Sequence, residues 1–200
     1  MKFFKKNSYE IVRLWINQIG IAIFSMVLYT ASGLLEFDKA STSLTVKLCV
    51  SVFTTLFYLA LIYNVCWECG AKDKLSVDSG KAGFFKFKGG LMSVFANVPN
   101  FVLSILAVIF IGVYIGGADG FDSAFAGVNL IMRLHESMYL GMIQGFTSGL
   151  SGNTDFLVES VLYVVFPFLS IAVCQISYWL GSKEKRLFSF LPTGPKINRE

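Results

Sequence analysis

The sequence predicts an all-α integral membrane protein with four transmembrane helices, at about 14–35, 48–67, 91–116 and 157–180, and an outer-face amphipathic helical segment at about 121–150. Three observations carry this. Of 200 residues, 54% are apolar and 15% charged, against about 25% charged in soluble domains. The mean hydropathy is +0.63. The charges are also clustered: no Asp, Glu, Lys or Arg occurs from Leu14 to Leu35, Leu48 to Trp67, Gly89 to Ala118 or Ser160 to Ser182. Each gap reaches the roughly 20 residues that a helix needs to cross a hydrocarbon core. In lipid every backbone N–H and C=O must be paired within the chain, so each gap is expected to be helical.

The first span follows Lys2, Lys5, Lys6 and Arg13. A basic start before an apolar run also describes a signal peptide, and Thr30-Ala31-Ser32-Gly33 supplies small residues at its end. The run is longer than a signal-peptide core, so an uncleaved signal-anchor helix is expected. Asn17 and Gln18 begin this span, and Asn64 ends the second.

Lys and Arg orient the bundle, because cytoplasmic flanks retain them. With the N-terminus inside, segments 1–13, 68–90 and 181–200 hold 14 of the 17 basic residues, leaving Lys39, Lys47 and Arg133 outside. Both termini are therefore expected in the cytoplasm of a cell with a plasma-membrane location, and residues 1–200 form one helical domain. The net charge of +4 reflects this asymmetry. It fits an anionic inner leaflet, where juxtamembrane Lys and Arg contribute about 1 kcal/mol each. Nucleic-acid binding is not expected without a soluble basic domain.

In the loop between the second and third spans, Val77-Asp78-Ser79-Gly80 signals a turn. Phe85 and Phe87 then alternate with Lys86 and Lys88, as in an extended interfacial segment. The C-terminal tail repeats the pattern, with Lys183, Lys185 and Arg186 before Leu187, Phe188, Phe190 and Leu191. Segment 121–150 contains Arg133, His135 and Glu136, and a central Arg costs roughly 2.5–3.5 kcal/mol on insertion. One or two amphipathic helices on, or dipping into, the outer leaflet are expected rather than a fifth span.

Two constellations have chemical possibilities. Asn97, Pro99 and Asn100 fall early in the third span; the proline predicts a kink, and two amides beside it could border a polar cavity that binds a solute. Cys66-Trp67-Glu68-Cys69 is a C-x-x-C pair able to exchange thiol and disulfide. Its cytoplasmic placement favours free thiols, and Cys49 and Cys174 offer no second pair. Gly141, Gly145 and Gly149 are spaced for close helix packing, within the bundle or between copies. His135 has no metal-ligand company and is expected at the outer surface.

Trp67-Glu68-Cys69-Gly70-Ala71-Lys72-Asp73-Lys74, Gly89-Gly90-Leu91 and Ala96-Asn97-Val98-Pro99-Asn100 together resemble small multi-pass membrane proteins of Gram-positive gut bacteria. The resemblance covers about a quarter of the chain. It implies a bacterial plasma membrane and no particular activity.

No charge lies deep in any predicted span, and no catalytic motif, cofactor site, metal site or internal repeat is apparent. The expected function is a non-enzymatic accessory or assembly subunit, with a membrane-protein partner or a second copy of the chain. A small transporter or solute-binding membrane component is the alternative, and a membrane thiol oxidoreductase the second.

Overall fold

The computed structural model describes residues 2–34, 40–81, 83–116 and 122–186. Leu35, Lys39, Phe121 and the tail from Leu187 onward lie outside the described residues. Every regular element is helical: α1 (Lys2–Lys6), α2 (Ser8–Leu34), α3 (Ala40–Asp78), α4 (Lys88–Ala96), α5 (Val98–Ile115), α6 (Asp122–His135), α7 (Leu140–Thr147), α8 (Asn153–Val165) and α9 (Pro167–Gly181). A single 3-10 turn, Ser137–Tyr139, joins α6 to α7.

Four stretches are long and apolar enough to span a membrane: Ser8–Leu34, Ser43–Asp78, Val98–Ile115 and Thr154–Gly181. They match the four predicted spans, with changed limits. The second continues well past Trp67, because Glu68, Lys72, Asp73 and Lys74 extend the helix out to the expected turn. Gly80 has φ of 69° there, a left-handed conformation that glycine adopts without Cβ strain. The third breaks at Asn97 (φ −90°, ψ 2°), two residues before Pro99, which occupies the first turn of α5. Proline fits that turn because an N-terminal N–H has no helical acceptor.

Polar contacts define two ends. At the basic end, Arg13 pairs with Glu68 at 2.9 Å, Lys88 with Asp73 at 2.8 Å and Lys74 with Glu184 at 3.2 Å. Burial pulls the Lys88 ammonium down, but Asp73 and Cys69 together outweigh this and the net shift is upward. At the far end, Tyr29 donates to Gln144, and Lys47 stands 5.4 Å over the Tyr29 ring.

Segment 121–150 is helical, as expected, and dips into the bundle: α6 and α7 form a helical hairpin packed chiefly on α5 and α3. Its turn bonds to Ala22 of α2, about three helical turns or ~18 Å from Leu34. That is mid-depth in the bundle. Met132, Met138, Tyr139, Leu140 and Ile143 are buried there, and Tyr139 stacks on Phe166 with centroids 4.9 Å apart.

Candidate functional site at the centre of the bundle

Non-helical backbone survives at membrane depth only when protein groups satisfy it. Hydroxyls from two spans do this for the hairpin turn. Ser25 Oγ donates to the Ser137 carbonyl at 3.1 Å, while Ser51 Oγ and Thr55 Oγ1 donate to the Met138 carbonyl at 2.5 and 3.1 Å. In return Ser137 Oγ donates to the Ala22 carbonyl at 2.5 Å. Ser51, Thr54 and Thr55 lie three and four residues apart, hence on one face of α3.

This turn delivers Glu136 to the bundle centre, where the residue is 0% exposed. Its Oε1 lies 3.4 Å from Ser104 Oγ of α5, and Oε2 has no hydrogen-bond partner among the described residues. No ion pair reaches it among the described residues. The nearby Arg133 is held bidentately by Glu159 of α8, at 2.6 and 2.5 Å. Tyr58, Tyr139 and Tyr163 come close enough to sense its charge. The expectation of no deep charge concerned the four spans; Glu136 reaches the bundle centre from the hairpin between the third and fourth.

The amides continue from this point toward the basic end. Asn97 Nδ2 donates to the Ser93 carbonyl at 2.8 Å and to Ser170 Oγ at 3.0 Å. Asn100 Nδ2 donates to Asn97 Oδ1 at 2.9 Å, and Ser104 Oγ donates to the Asn100 carbonyl at 2.8 Å. The orientation of this chain follows from hydrogen-bond inventory. A backbone carbonyl can only accept, so the Asn97 group facing Ser93 is its NH2; its oxygen then faces Asn100, which must donate. Asn100 Oδ1 is left buried without a partner.

Asn97 and Asn100 are brought together as expected, both buried; half-buried Pro99 shapes the break beside them. Of the other amides, Gln18 is buried with neither side-chain polar atom bonded, Asn17 is half-buried, and Asn64 faces outward. Cys66 and Cys69 are buried free thiols. Cys66 hydrogen-bonds Cys174 across the α3–α9 contact, so Cys174 is not isolated, while Cys69 turns toward Lys88. His135 is half-buried with Nε2 unpartnered, which corrects its expected surface placement. Among the glycines of α7 and its end, a Cβ at Gly141 would strike the Lys47 carbonyl, one at Gly145 would meet Leu48 at 3.6 Å, and Gly149 is open. The close approach is therefore onto α3, within the bundle.

Sequence reasoning missed Glu136, Ser104 and Ser170. The available signal was the hydroxyl face of α3, too polar for a lipid-facing surface and facing no partner in the four spans alone.

The fold defines a multi-pass membrane protein whose helical bundle is entered by the hairpin of α6 and α7. The chain matches no protein-family model, no curated protein and no solved structure.

Proposed function

We propose that this protein is a membrane transport component that takes a proton or another small monovalent cation at Glu136. The observation that carries this reading is the unpartnered carboxyl at mid-depth on a helix break. An isolated carboxylate in a low-dielectric interior costs far more than folding can supply, so the group neutralises or pairs. Intramembrane carboxyls of this kind serve ion and proton pathways. The buried amides Asn100 and Asn97 extend polar character from Glu136 toward the basic end. The Lys and Arg asymmetry assigns that end to the cytoplasm.

The accessory-subunit reading rested on a bundle without buried charge, and Glu136 removes that ground. Thermal unfolding in gentle detergent tests the proposal, since a species bound only by the folded state raises Tm. Wild type responds to pH or to Na+, and Glu136→Gln loses that component. Parallel responses from both proteins refute it.

A further inference from the structure

We infer that the species held by Glu136 is a proton, carried on a neutral carboxylic acid beside Ser104 Oγ. The inference rests on the proposed role of Glu136 and names its substrate as H+.

The argument is a count of hydrogens. Ser104 has one hydroxyl proton, and its 2.8 Å contact with the Asn100 carbonyl uses it. The longer contact, 3.4 Å to Glu136 Oε1, draws on the same hydrogen, so Ser104 offers the carboxyl at most a weak, shared bond. Asn100 cannot supply one, because its NH2 is directed to Asn97 and its oxygen is the free atom. Nor can the cation nearest in sequence, since Arg133 is engaged by Glu159.

The groups near enough to Glu136 to feel its charge are Ser104 of α5, Tyr58 of α3, Tyr163 of α8 and Tyr139 of the turn. None of them is a cation, and none brings a compensating positive charge. A proton on Glu136 removes the isolated charge. In a transport cycle, Glu136–COOH releases H+ to water admitted from one side, leaving the carboxylate. A proton from the opposite side then restores the acid, with no change in oxidation state.

Infrared spectroscopy of the full-length protein in lipid bilayers tests this. At neutral pH the wild-type-minus-Glu136→Gln difference shows a carboxylic C=O band above the amide band, which shifts down in D2O and is unchanged by added Na+. Ser104→Ala shifts that band without removing it, because the acid loses its hydroxyl neighbour; this variant also serves if Glu136→Gln folds poorly. A carboxylate band in place of the acid band overturns the inference. So does loss of the acid band on adding Na+, which would leave Glu136 as a metal-cation site and the transport reading intact. Conversely, an acid band in a protein that moves no charge supports the bound proton and removes the transport reading.

Discussion

Asn97 Nδ2 stands 3.0 Å from Ser170 Oγ and joins the break between α4 and α5 to the break before α9. Ser170 Oγ in turn donates to the Pro167 carbonyl at 2.8 Å. The two interrupted spans are therefore tied to each other at their weak points. Asn97 also holds Asn100 in place, so it serves both the joint and the polar chain above it.

Replacing Asn97 with Leu strands the Asn100 amide in an apolar interior, while the Ser93 carbonyl keeps its bond from the residue 97 backbone N–H. A buried group left unpaired costs about 1–3 kcal/mol. Asn97→Leu is expected to lower stability by that order, measured by reversible unfolding in mixed detergent. Ser170→Ala loses two neutral hydrogen bonds and is expected to cost about 2 kcal/mol.

Arg133 and Glu159 form the bidentate pair beside the hairpin. The Glu159 side chain is 5% exposed and that of Arg133 36%. Removing Arg133 leaves a charge where water barely reaches, and removing Glu159 leaves one that water partly reaches. Because Arg133 is partly solvated, Glu159→Gln is expected to cost about 3 kcal/mol, the low end for a buried pair. Proteolysis of the reconstituted variant should release fragments cut within residues 122–147, whereas wild type resists.

The glycines of the hairpin separate cleanly. Gly141→Ala forces a methyl group against the α3 backbone at Lys47, where neither helix can yield without shifting. A loss of about 1–3 kcal/mol is expected from this overpacking. Gly149→Ala enters open space and is expected to leave the melting temperature unchanged. Melting curves of the two single variants check the contrast.

The thiols make a further contrast. Cys66, Cys69 and Cys174 are buried, and Cys49 is exposed. In native membranes N-ethylmaleimide should modify Cys49 alone, and all four after denaturation in SDS. Intact-mass spectrometry counts the adducts directly. Rapid native labelling of Cys66 would contradict the packing described for α3 and α9.

The four spans were legible because lipid demands one simple property, a long stretch without charge, that any window along the chain exposes. Asn97 and Asn100 were legible for a related reason: amides next to a proline mark a likely break in an apolar run. The centre was not legible. Glu136 belongs to the most polar part of the far-end segment, and local composition assigns such a residue to the surface. What carries it inward is a set of contacts remote in sequence, such as Ser137 with Ala22 and Ser51 with Met138. None is visible in a local pattern. The same holds for Cys66, whose neighbour in the motif is Cys69 but whose hydrogen-bond partner is Cys174.

The most direct test of the central claim is charge movement on a solid-supported membrane carrying reconstituted protein. A rapid pH or Na+ step should displace charge in wild-type proteoliposomes, and Glu136→Gln should abolish the signal while keeping its fold. Equal responses from wild type, Glu136→Gln and protein-free liposomes would contradict the assignment of Glu136 as the working group of a transport protein.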